Sequence, residues 1–166
     1  ILIFAWSLKG MGDALEIGTF VKTIVGTNAS ASVILPAILF LVAIFLSFST
    51  GTSWGTFAIL VPIAIAMFPG ADNMQMMIIA VSAVLSGAVC GDHVSPISDT
   101  TVMSSAGAQS NHINHVTTQM QYAAVVAVVS AVGFLLAGFV HVWWIVLGVS
   151  LILLLAVLTV LRKVAK

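Results

Sequence analysis

Basic side chains are missing from the body of this sequence: from Thr23 to Leu161 there is no Lys or Arg. Such a chain has little to offer a phosphate backbone, and its net charge of zero gives no polybasic patch for nucleic acid or an anionic membrane surface. Cysteine is nearly absent too. The single Cys90 excludes an intramolecular disulfide and any Cys-based zinc cluster. In its apolar run it reads as a small packing residue. Charge of either sign is scarce: 6% of the residues are charged and 61% hydrophobic, against about 25% charged in a soluble domain. At a mean hydropathy of +1.22, there is too little polar side chain to coat a soluble globule. The composition is that of an integral membrane protein. No signal peptide is visible, and the chain opens without Met inside the apolar run ILIFAWSLK, which reads as a piece of something longer.

What is present is a series of apolar runs. A membrane-spanning helix needs about 20 such residues. Tyr122 to Val140 and Val142 to Leu161 meet this plainly, with HVWW between them as a tight turn and Trp143, Trp144 and His141 at the interface. The closing RKVAK places the C-terminus in the cytoplasm by the positive-inside rule. The earlier runs are interrupted. Ser32 to Phe48 is broken by STGTSWGT before Phe57 to Phe68 resumes; Gln75 to Cys90 is broken by GDHVSPISDT before Thr101 to Ala108. Each pair reads as two half-helices around a polar break. Such paired interruptions point to a transporter's binding site, because non-helical backbone at membrane depth needs protein or water around it. Residues 32 to 68 form either a hairpin with both ends on one side or a single broken span. Their length favours the hairpin with GTSWG near its tip, since each arm is short for a full crossing. The segments Gly10 to Ala31 and NHINHVTTQMQY read as interfacial helices, and Asp72 in PGADNMQ as part of a surface turn.

The break GDHVSPISDT concentrates the chemistry. Asp92 and Asp99 are the only charges besides Asp72 between Thr23 and Leu161. A charge near the bilayer centre costs at least about 2.5 kcal/mol, and a neutral Ser or Asn caps a helix nearly as well. Capping alone therefore does not account for the pair. Pro96 cannot donate to the carbonyl of Asp92 four residues back, which predicts a freed carbonyl. Gly91 permits departure from the helix, and Ser98 or Asp99 can cap the next one. Carboxylates, hydroxyls and carbonyls in so short a stretch suit a hard monovalent cation. A proton would compete with that cation for the same oxygens, and seven residues apart across a proline the two aspartates lie close enough to couple.

Other motifs weigh less. Gly51-Thr52-Ser53-Trp54-Gly55 matches G-x-S-x-G, but a nucleophile elbow needs a strand before it, and here an apolar helix precedes it. The better reading is a turn whose hydroxyls and carbonyls face the other break; the chain is not expected to be an enzyme. His112 and His115 lie three apart with no nearby Asp or Glu to complete a metal site. His93 either relays protons or holds Asp92 by a hydrogen bond.

FSTGTSWGTFAILVPIAIA and SGAVCGDHVSPISDTTVMSSAGAQSNHINHVTTQMQYA resemble the NhaC-type sodium/proton antiporter family, and with the flanking helices the resemblance covers nearly the whole chain. It implies an all-α polytopic membrane protein of broken transmembrane helices and a re-entrant hairpin. The chain would be one half of an inverted-repeat fold, with residues 1–166 the C-terminal portion of a single transporter domain. It implies that Thr50, Thr52 and Ser53 in one break, with Asp92, Ser95, Ser98 and Asp99 in the other, form half of an ion site, His93 standing by as proton relay. Sodium and protons would be transported substrates, with no cofactor and no metal beyond the monovalent cation. The expected partners are the lipid bilayer, the N-terminal half of the transporter in the same or a second chain, and further copies in a homo-oligomer; nucleic acid is not among them. The location implied is the cell membrane. A relative on this fold moving an amino acid or carboxylate is the alternative, although an organic anion usually wants a cationic partner. A non-transporting subunit leaves two intramembrane carboxylates unexplained.

Overall fold

The computed structural model describes residues 29–68 and 73–164 together with Met11 and Ala14. The helices are α1 (Ala29–Thr50), α2 (Ser53–Met67), α3 (Met74–Val94), α4 (Asp99–Gly107), α5 (His112–Phe139) and α6 (Trp143–Val164). Among the described residues there is no strand. Four stretches are long and apolar enough to cross a membrane: Ser32–Thr50, Met74–Val94, His112–Phe139 and Trp143–Lys163. The protein is all-α, polytopic and membrane-integral.

The bundle is built on a parallel contact between α1 and α3. A Cβ on Gly87 would overlap the carbonyl of Phe40, and one on Gly91 would overlap the carbonyl of Ile44. Only glycine lets the two backbones come so near, the usual way for membrane helices to gain van der Waals contact when lipid tails are as apolar as leucine. Hydroxyls reinforce the seam: Ser47 Oγ donates to the Ala88 carbonyl at 2.6 Å and Ser95 Oγ to the Phe48 carbonyl at 2.7 Å. The register advances together along both helices, so they run in the same direction.

α2 returns between these two. It begins beside the end of α3, where Ser53 meets Asp92. Residues 69–73 then lead into α3; five residues reach at most about 18 Å, well short of the roughly 30 Å length of α3. α2 is therefore antiparallel to α1 and α3. Leu35, Leu39 and Ala43 of α1, Leu60 and Ala64 of α2, Phe68 beyond it, and Ala80, Val84 and Ala88 of α3 share one apolar core. α5 runs back along α1, with Phe134 against Phe40 at 5.1 Å between ring centroids and Gly138 under the carbonyl of Val33. α6 packs only on α5 among the described helices; the turn before it is residues 140–142, and Trp143 and Trp144, expected in that turn, open the helix with rings stacked at 3.4 Å.

Several expectations change. The chain reverses at Gly51 and Thr52, so residues 32–68 form the hairpin and not the single broken span. Its first arm is not short: α1 has 22 residues, enough to cross, whereas α2 has 15. α3, with 21 residues, is likewise full-length and not half a helix. NHINHVTTQMQY is no separate interfacial helix but the first turns of the 28-residue α5, started by Asn111, whose side chain accepts from the Asn114 amide at 3.1 Å. The interfacial helix expected from Gly10 and the turn at Asp72 fall outside the described residues, except that Met11 and Ala14 are helical and 29–31 belong to α1.

Candidate functional site

The turn at the hairpin tip and the break after α3 meet at one end of the bundle. α1 stops at Gly51, whose φ of +68° only glycine adopts readily and whose amide donates to the Ser47 carbonyl at 2.8 Å. A side chain there would also strike Ile97, in the second break, at 2.9 Å. Thr52 then caps α2, its hydroxyl accepting from the Gly55 amide. This fixes Ser53 as the first residue of α2, pointing at the last turn of α3.

Asp92 waits in that turn. It is 8% exposed, and both carboxylate oxygens accept from hydroxyls: Oδ2 from Ser53 Oγ at 3.1 Å, Oδ1 from Ser98 Oγ at 2.7 Å. Since the one Ser98 hydrogen goes to the carboxylate, the Thr100 hydroxyl, 2.7 Å away, donates to Ser98 in turn. A row of hydroxyls thus leads from exposed Thr100 to buried Asp92. A carboxylate offers about four lone-pair positions, so two remain after these bonds. The basic side chains among the described residues, histidine aside, are Arg162 and Lys163 at the end of α6, which does not touch α3. A buried carboxylate held by hydroxyls, with no basic group packed on it among the described residues, has lone pairs left for a small cation.

Several carbonyls of the break have donors. The Asp92 carbonyl, expected to be free opposite Pro96, accepts from the Ser95 amide at 3.2 Å. That of His93 accepts from Thr101 Oγ1 at 3.2 Å, and that of Ser95 from the Ser98 amide at 3.3 Å. Backbone groups buried in a membrane protein find donors where they can, and one donor leaves each of these oxygens a second lone pair.

Not every expected residue joins Asp92. Ser95 is fully buried but serves the Phe48 carbonyl. Thr50 bonds back to the Leu46 carbonyl at 2.9 Å, and the Thr52 hydroxyl is engaged in capping. Asp99 is exposed in the first turn of α4, where Oδ1 accepts from the Thr100 amide at 2.8 Å. His93 does not hold Asp92; its side chain lines a cavity of about 450 Å³ with Cys90, Gln119, Tyr122 and Ser130. There Gln119 Oε1 is buried without a hydrogen-bond partner. Ser53 of the G-x-S-x-G string donates straight to a carboxylate with no imidazole between them. His112 reaches Pro96 and Ser105, and His115 reaches Ser104. Sequence reading missed Ser47, Gln119 and the use of His112; the spacing of Gly87 and Gly91 was the available sign of the helix contact beside the site.

Residues 1–139 match the Na+/H+ antiporter family, a match that ends with the last residue of α5. A protein of Haemophilus influenzae described only as uncharacterized is 47% identical over 141 residues, covering 85% of this chain and 27% of that protein. The malate-2H(+)/Na(+)-lactate antiporter of Bacillus subtilis is 33% identical over 97 residues, covering 58% of this chain and 20% of its own length. The chain thus spans only about a fifth to just over a quarter of these relatives' length, and no solved structure matches it. With the family match running through both breaks and the helices that present Ser53, Asp92 and Ser98, the chain belongs to the Na+/H+ antiporter family.

Proposed function

We propose that this chain carries half of the ion site of a secondary antiporter that exchanges sodium for protons across the cell membrane, its C-terminus in the cytoplasm. The observation carrying this reading is Asp92: a buried carboxylate whose partners are two serine hydroxyls. Hydroxyls are versatile there. They donate to the carboxylate in the absence of a cation and turn a lone pair toward one when it arrives. Sodium and a proton then compete for the same oxygens, and competition at one alternately exposed site is sufficient for exchange. The remaining ligands would come from the rest of the transporter, and no cofactor is required.

A second reading has an observation of its own. The Bacillus subtilis relative is named for malate and lactate, and the cavity of about 450 Å³ beside His93 and Tyr122 has room for a small carboxylate.

Sodium jumps imposed on proteoliposomes of the full-length protein, with a pH dye inside, test both. Sodium-driven proton movement without any organic anion is the expected result. Movement only when malate or lactate is present selects the second reading, and a response to neither overturns the antiport assignment.

A further inference from the structure

We propose that His112 is a positioning residue for the ion site, holding the break between α3 and α4 so that Ser98 stays on Asp92. The inference rests on the sodium-site reading above. His112 is the first residue of α5, after the Asn111 cap, and its ring is engaged through both nitrogens. Nε2 lies 2.8 Å from the Pro96 carbonyl and Nδ1 lies 3.0 Å from Ser105 Oγ in α4. A carbonyl has no hydrogen to give, so Nε2 carries the proton and donates. Nδ1 and the Val102 carbonyl are the two acceptors in reach of the Ser105 hydroxyl. The ring is thereby oriented from α4 and spends its donor on the break.

Residues 95 to 98 are each held against a neighbouring segment. Ser95 is tied to the end of α1 through the Phe48 carbonyl. Ile97 packs on Gly51 at the hairpin tip. Ser98 donates to Asp92. Pro96 has no amide hydrogen, and its carbonyl is tied to α5 by His112. Without that donor, a carbonyl two residues from Ser98 is left unpaired and the break must turn to find another. His112 therefore connects α5 to the hydroxyl that meets the carboxylate, its own hydrogen bonds going to Pro96 and Ser105. His115 repeats the pattern more weakly, with Nε2 at 3.4 Å from Ser104 Oγ, and makes no tie to the break.

The test compares two amides in the full-length transporter. His112→Gln places a side-chain N–H near the position of Nε2, whereas His112→Asn falls short of it. His112→Asn is expected to raise the sodium KM about tenfold, the typical worth of one buried hydrogen bond, with maximal rate little changed; His112→Gln restores the KM. A second readout does not involve sodium. In a Cys90→Ser background, maleimide labelling of Ile97→Cys is expected to quicken with His112→Asn and to return to the parent rate with His112→Gln. Equal KM values and labelling rates in the two variants would falsify the proposal, as would faster labelling with unchanged sodium KM. Failure of the sodium-site reading shows instead in the parent, as proton movement indifferent to sodium, while the labelling comparison still reports on the tether.

Discussion

The last turn of α3 and the first turn of α4 each carry an aspartate, and their surroundings are opposites. Around Asp92 the backbones of α1 and α3 are drawn together at Gly91, the carboxylate is buried, and both oxygens are bonded by side chains of other segments. Around Asp99 the chain is open, and the carboxylate bonds the next amide in its own turn. A Cβ added to Gly107 at the end of α4 would meet nothing within 4 Å. Both residues are acidic, polar and flanked by apolar runs, yet only one is placed where its charge has to be answered by a neighbour. An acidic residue in a membrane sequence is thus a weak sign until its packing is known; the glycine beside it says as much as the carboxylate does.

Substitutions can break this contrast. Replacing Asp92 by Asn in the intact transporter removes the charge at nearly constant size. A cation–carboxylate contact worth about 4 kcal/mol at the effective dielectric of a partly buried site implies roughly a thousandfold loss of sodium affinity, measured as sodium-elicited proton release at fixed pH. Next comes Gly91→Ala. The added methyl would overlap the Ile44 carbonyl, so the α1–α3 seam must open at a cost of about 1–3 kcal/mol, seen as a lower melting temperature in detergent. Gly107→Ala is the matched control and should leave melting unchanged. Ser98→Ala is expected to weaken sodium binding about tenfold, and Ser53→Ala less, since its bond is longer and one hydroxyl contributes only about 1 kcal/mol. Asp99→Asn should have the smallest effect, within about twofold, because an exposed carboxylate interacts weakly. Should Asp99→Asn match Asp92→Asn in proton release, the contrast between the two turns is not the one that governs exchange.

Much of the fold was legible because apolar length and charge scarcity are properties a membrane imposes directly. The final two helices, the turn between them and both breaks follow from counting. The extents of α1, α3 and α5 did not, for different reasons. Polar Ser49 and Thr50 look like an interruption, yet their hydroxyls bond carbonyls four residues back at 2.8 and 2.9 Å and let the helix continue. NHINHV looks interfacial, but Asn111 is a cap and α5 starts there. In the site, Asp92, Ser53 and Ser98 were named from type and place, whereas the exposure of Asp99 could not be counted through a stretch where helical phase is lost. Ser95 and Ser98 are extended, with ψ of 129° and 135°, and they turn Asp99 outward. The pairing of Ser53 with Asp92, 39 residues apart, obeys no local period at all.

The parallel seam between α1 and α3 has a consequence for how the protein is made. Its stitches join Ser47 to Ala88 and Phe48 to Ser95, 41 and 47 residues apart. When α1 leaves the ribosome, the serine that will take up the Phe48 carbonyl has not been synthesised, and neither has the carbonyl that Ser47 will find. α2 must enter first and turn back. Closing a loop of that length carries an entropic cost that grows only slowly with length, but it cannot be met before the last turn of α3 is complete. Ser53 and Asp92 therefore come together late, as one of the final contacts of the segment, and a nascent chain halted before residue 92 holds a finished hairpin whose tip has no carboxylate to face.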